Sequence, residues 1–132
     1  MSNLIARVTK IDSESSLNII SFDFYGTSLK MMSLELSEDV SVGKKVILSI
    51  KGFSVAIAKS FSGELSYSNQ IETKVDSISQ GKLLCSLKLL VKDEYIESVI
   101  TTESLKRLNI EVGDCVIALI KANEISIVDV LS

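Results

Sequence analysis

Two stretches decide how this chain is read: Val42-Gly43-Lys44-Lys45-Val46-Ile47-Leu48-Ser49-Ile50-Lys51-Gly52-Phe53-Ser54-Val55-Ala56-Ile57-Ala58 and Val112-Gly113-Asp114-Cys115-Val116-Ile117-Ala118-Leu119-Ile120-Lys121-Ala122-Asn123-Glu124-Ile125-Ser126-Ile127-Val128. They lie 70 residues apart and share seven of seventeen positions, among them the Val-Gly turn, Val-Ile and Ile-Lys. Each reads as a turn, a buried strand, a Lys at the strand end, a short bend and a second strand. A repeat of this length in a chain of 132 residues predicts two similar units rather than one domain.

The residues around each copy extend the pattern. Leu4 to Ile11 alternates apolar and polar residues, as a half-buried strand does. Asn18 to Phe24 and Ser28 to Leu34 follow across polar and Gly-containing turns, and Glu35 to Val40 has room for one helical turn. Lys59 to Leu65, small and polar with one Gly, is the linker. The order then repeats, with strands at Gln70 to Ile78, Lys82 to Val91 and Glu94 to Thr101. Here the copies diverge. Thr101 to Leu108 has a Thr cap, an acid in the first turn, Leu105 and Leu108 three apart and bases in the last turn, the marks of a short helix. The first copy is three residues shorter at this point. The fold class is therefore mainly β: two tandem small OB-like β-barrels, each of about five strands with a short helix. The domains fall at 1–60 and 66–132.

Composition excludes several functions. The net charge is -3 with a pI near 5.0, and 5% of residues are aromatic. Nucleic-acid binding draws its affinity from basic side chains and stacking rings, so neither nucleic acid nor an anionic membrane is expected as partner. His is absent, which removes the usual general base and the commonest metal ligand. Cys85 and Cys115 lack the spacing of a zinc or redox motif and read as free thiols in or near strands. No GxxxxGK[ST] loop supports ATP binding, and no nucleophile–base pair is visible. The chain reads as a binding protein and not an enzyme, with no catalytic cofactor and no directly coordinated metal. The start of the chain lacks a signal peptide's apolar core and no apolar run approaches about 18 residues, so a cytoplasmic location is expected. A hydrophobic fraction of 46% with mean hydropathy +0.36 is high for units this small and predicts association.

Residues 66 to 128 resemble the molybdate-binding Mop domain, of the TOBE or molybdenum-pterin-binding type. The likeness is carried by Ser66, Asn69 and Gln70 in a Ser-x-x-Asn-Gln opening, Val99-Ile100-Thr101-x-x-Ser104, Leu108 to Gly113 and Ile120-Lys121-Ala122. The first unit resembles a diverged copy, so the chain is similar to a di-Mop arrangement. The resemblance implies a small OB-like barrel that holds molybdate or tungstate at contacts between domains or subunits. By position, the oxyanion-binding residues are then Ser66, Tyr67, Ser68, Thr101, Ser104, Lys121, Ala122 and Asn123. A second, weaker site is implied at Ser37, Lys51 and Gly52, where Leu34 replaces the Thr. Ser68 stands where the family has Arg, which removes a charge. A homo-oligomer is implied, a trimer of two-domain chains in preference to a dimer.

The donor types fit that ligand. Molybdate and tungstate are dianions without a proton at neutral pH, so a matching site offers donors: hydroxyls, backbone N–H groups and a Lys. Glu103 is the nearby carboxylate and is expected to point away. Each residue also has a plainer reading: Thr101 and Ser104 as caps, Lys121 as a solvated strand end, Ser66 and Ser68 as loop residues, Met31-Met32 as packing. Two roles suit such a chain: storage or buffering of the oxyanion, or the ligand-sensing subunit of a molybdate-responsive repressor or transporter system acting through a partner.

Overall fold

A computed structural model describes residues 1–131; Ser132, the last residue of the expected second domain, lies outside the described residues. The first half forms β1 (Ser2–Glu14), β2 (Leu17–Phe24), β3 (Thr27–Ser33), β4 (Lys45–Ile50), a 3-10 turn (Gly52–Ser54) and β5 (Ala56–Ala58). The second half repeats this as β6 (Asn69–Gln80), β7 (Leu84–Val91), β8 (Glu94–Thr101), α1 (Thr102–Arg107), β9 (Cys115–Ile120), a second 3-10 turn (Ala122–Glu124) and β10 (Ile125–Val130). The expected alternation is present. Leu4, Ala6 and Val8 of β1 are buried, as are Ile71, Thr73 and Val75 of β6, while the residues between them face solvent. The helix spans the expected residues, with Leu105 buried.

The repeated Val-Gly pair has a structural reason. Gly43 and Gly113 both have φ of +95°, a conformation that side chains with a Cβ rarely adopt. In that conformation the Gly43 N–H donates to the Val8 carbonyl and the Gly113 N–H to the Val75 carbonyl, each at 2.8 Å. Val8 and Val75 mark the places where the register of β1 and β6 shifts. The turn thus docks onto a bulge in the long strand of its own half.

The two halves do not close separately. One sheet has the order β10-β4-β1-β2-β3 and the other β5-β9-β6-β7-β8. After each 3-10 turn the chain crosses to the opposite half. Ile125 of β10 pairs with Ile50 of β4, and Ala56 of β5 pairs with Leu119 of β9, all antiparallel. Periodicity marks β5 and β10 as strands but says nothing about their partners, so the sequence reading placed each beside its own copy's strands by default. Each five-stranded sheet curls until its edge strands approach one another, β10 towards β3 and β5 towards β8.

Side chains stitch the exchange. Asn69, fully buried at the start of β6, presents its carboxamide to the outer edge of β3. Its Oδ1 accepts from the Lys30 N–H at 2.7 Å and its Nδ2 donates to the Lys30 carbonyl at 3.0 Å. Ser2, at the start of β1, does the matching job on β8, its hydroxyl accepting from the Glu97 N–H at 2.8 Å. The buried Ser98 hydroxyl donates to the Val55 carbonyl at 2.7 Å. Val55 and Ile125, which lead into the exchanged strands, are both buried. The apolar residues of both halves accordingly form one continuous core, with Phe22, Phe24 and Leu48 on one side and Ile71, Leu89 and Ile120 on the other. The linker is also anchored: Lys59 lies 3.1 Å from Asp114, whose carboxyl the Glu111 N–H and then Lys59 hold below the ordinary range.

Candidate functional site

The two 3-10 turns carry the repeated lysines and meet each other. Lys51 and Lys121 are extended residues at the ends of β4 and β9, and both side chains are exposed. The Ser54 N–H closes the first turn on the Lys51 carbonyl at 2.9 Å, and the Glu124 N–H closes the second on the Lys121 carbonyl at 3.0 Å. Ser54 Oγ then donates to Glu124 Oε2 at 2.8 Å. Ser54 and Glu124 occupy the same place in the two copies, so the halves are related here by an approximate two-fold axis. Among the described residues neither lysine makes an ion pair, which leaves both ammonium groups available to an anion.

The strand exchange decides what each turn faces. The first turn packs on β8, and a Cβ added to Gly52 would lie 2.7 Å from Glu97 Oε1 and 3.1 Å from Val99 Cγ2. The second turn packs on β3. Asn123 and Ser37, which the sequence assigned to two different sites, line one cavity of about 470 Å³ between the facing edges β3 and β10. Leu36 and Ile125 supply apolar wall there, and Glu35 and Asp129 are acidic members of the lining. Thr101 lines a different cavity, beside Lys82 and Lys106 at the foot of α1. Lys121 and Ala122 line neither.

Thr101 and Ser104 are engaged with each other. Thr101 Oγ1 accepts from the Ser104 N–H at 3.1 Å and donates to Ser104 Oγ at 2.9 Å, while Arg107 Nη2 reaches the same Oγ at 3.5 Å. This is an N-cap with its hydroxyls turned onto the helix. Glu103 is 87% exposed and pairs at 3.6 Å with Arg107, the side chain that also reaches Ser104 Oγ. Thr101→Ala should lower stability by about 1 kcal/mol in urea melts. If the same change also weakens oxyanion binding by about tenfold or more, equivalent to about 1.4 kcal/mol, the cap hydroxyl serves the ligand as well.

The remaining assigned residues lie on the surface. Ser66 and Ser68 are exposed in the segment just before β6, and the Tyr67 carbonyl accepts from Gln70 Nε2 at 3.0 Å. Ser37 Oγ accepts weakly from the Asp39 N–H at 3.3 Å. Cys85 is buried in β7 and Cys115 exposed at the start of β9. Among the described residues, no group of three His, Cys, Asp or Glu is arranged to hold a metal ion, and no helix is long and apolar enough to cross a membrane. The sequence reading missed three residues that shape this region: Lys30, Asn69 and Glu97. Asn69 stood in the quoted opening motif but was given no role. Lys30 and Glu97 become comparable only through the strand pairing, where Ser21 faces Lys30 and Lys88 faces Glu97, an offset of 67.

Two curled five-stranded antiparallel sheets, each with a strand contributed by the opposite half, place the chain among mainly β, OB-like proteins. Residues 65–127 match the family model of the TOBE domain. The chain is similar in fold to a cytoplasmic molybdate-binding protein, ModG, whose crystal structure has molybdate bound: TM-score 0.88 at 22% identity, over 95% of this chain and 93% of that one. Among curated proteins, none matches in sequence.

Proposed function

We propose that this chain is a two-domain protein of the Mop/TOBE type that binds molybdate or tungstate, and that it stores or buffers the oxyanion in the cytoplasm. The observation that carries this reading is the extent of the likeness to ModG, which spans 95% of this chain and 93% of that one, and so reaches into both halves. In this reading residues 1–60 and 66–132 are tandem copies, each lending its fifth strand to the other. The repeat of burial pattern between β4 and β9, and between β1 and β6, supports that division.

The chemistry is that of a proton-free dianion held by donors. Lys121 supplies a charge, Ala122 and Asn123 supply backbone N–H groups, and Ser66, Ser68, Thr101 and Ser104 supply hydroxyls. These groups are spread over the surface of one chain, so the full set assembles where copies meet. Exposed apolar side chains support such a contact: Phe53 is 75% exposed, and Leu34, Val42 and Val112 are all largely open to solvent. A trimer of chains is the arrangement we propose. Nothing in the site calls for catalysis.

Calorimetric titration with molybdate, tungstate, sulfate and phosphate, with native mass in parallel, tests this reading. Molybdate or tungstate should bind about tenfold or more tighter than sulfate, a gap of about 1.4 kcal/mol, with a whole number of ions per oligomer. Lys121→Ala should weaken binding strongly and Lys51→Ala less. Equal response to all four anions, or none, would overturn the proposal.

A further inference from the structure

The approximate two-fold relation places residues of opposite charge at one matched position. Lys30 of β3 and Glu97 of β8 are equivalent by register. Both are held by the same device, a polar side chain from the first strand residue of the opposite half: Asn69 on the Lys30 backbone and Ser2 on the Glu97 N–H. Each belongs to the strand on which one lysine-bearing turn packs. At the first turn, the Glu97 carboxylate lies against Gly52, within contact of where a Cβ would stand. Oε2 of the same group accepts from Ser86 Oγ at 3.1 Å. Glu94 places its Oε1 on the Ile5 N–H at 2.9 Å, and Asp93, Glu94 and Glu97 line, together with Lys88, a cavity of about 740 Å³ that neither Lys51 nor Gly52 borders. At the second turn the matched position is Lys30, whose Nζ rests on Ser21 Oγ at 2.9 Å, and Thr27 stands where the other half has Glu94. The Met1 amino group, 3.4 Å from Glu97, forms only an exposed pair that water screens.

From this we infer that Lys30 and Glu97 determine which lysine-bearing turn accepts an oxyanion: the turn at Lys121 on β3 does, and the turn at Lys51 on β8 does not. The inference rests on the proposed binding of molybdate or tungstate. A dianion brought to Lys51 and the Gly52 backbone meets the Glu97 carboxylate, whose repulsion opposes the attraction of Lys51. At the matched position on β3, the strand on which the Lys121 turn packs, the dianion meets the Lys30 side chain in place of a carboxylate. Neutralising Glu97 removes the repulsion without touching a donor. The charge at one matched position thus separates two turns that carry the same lysine.

Equilibrium dialysis with molybdate at low ionic strength tests this, on the full chain and on Glu97→Gln, Lys30→Gln and the double variant. Far-ultraviolet circular dichroism and melting establish that each variant keeps the fold. Glu97→Gln should raise the number of molybdate ions bound per chain. Lys30→Gln should weaken the original binding by about ten- to a hundredfold, the scale of losing one nearby charge from a dianion site. The double variant should show the added site together with the weakened original one. If the folded Glu97→Gln protein binds the same number of ions as the unaltered chain, or Lys30→Gln binds as tightly, the inference fails while the proposed function stands. If neither the unaltered chain nor Glu97→Gln binds molybdate or, in a parallel dialysis, tungstate, the proposed function fails and takes the inference with it.

Discussion

Asn69→Ala is expected to lower the stability of the chain by about 2–4 kcal/mol, more than any other single polar substitution, through loss of two hydrogen bonds at a buried site. The carboxamide occupies the place of a neighbouring strand on the edge of β3, giving Lys30 both a donor and an acceptor. Its removal strips both backbone groups of their partners at a part-buried sheet edge and leaves a gap where the buried carboxamide stood. Asn69→Asp tests the geometry separately. It retains the acceptor for the Lys30 N–H, replaces the donor to the Lys30 carbonyl with a second acceptor, and places a charge where burial is complete. Urea denaturation should show a lower midpoint for both variants. For Asn69→Asp the loss should be larger at neutral pH and smaller in acid, where the introduced carboxyl is protonated. A loss below about 0.5 kcal/mol for Asn69→Ala, the range of ordinary surface changes, would mean that the seam is held by something else.

Ending the chain after Glu124 should damage the first half rather than the second. The deleted residues follow the second repeat in sequence, yet β10 pairs along β4, from Ile125 opposite Ile50 to Val130 opposite Val46, and the Leu131 N–H donates to the Lys45 carbonyl. Ile125 is buried, and Ile127 and Val130 pack partly against the core. Removing three such side chains forfeits about 4–8 kcal/mol, comparable with the whole stability of a small domain. Native-state hydrogen exchange locates the damage. Amides of β4 should lose protection first, while those of β6 and β7 keep theirs longest. Loss of protection at β9 with β4 intact would contradict the exchange.

Much of this fold was legible because period-two patterning marks a strand and its buried face. Leu4, Ala6 and Val8 announced β1, and the Thr101 cap with Leu105 announced the single α-helix of the described residues. The partner of a strand is not written in its own residues. Ser54 and Glu124 are ordinary polar residues in the sequence, and only the crossing of both chain ends brings them within 2.8 Å. The same crossing put Asn123 into one cavity with Ser37, residues that alignment of the repeats had assigned to separate sites. Lys30 and Glu97 were invisible for a related reason. The repeat has an offset of 70 at the lysine turns, whereas the strands ahead of them are offset by 67 because the first copy lacks three residues near the helix. Asn69 shows the opposite case: its residue type was noticed in a motif, but its work is structural and lies across the seam.

Anomalous diffraction from crystals grown with molybdate or tungstate, recorded at the absorption edge of the metal, is the most direct test because it locates the ion without assuming its ligands. A peak is expected beside Lys121, Ala122 and Asn123, on the side of the chain where Lys30 lies, completed by hydroxyls of a neighbouring copy. No peak of comparable height is expected beside Gly52 and Glu97. A dominant peak at Glu97, or ions bound only at places remote from both lysine turns, would contradict both the proposed site and the charge selection between the turns.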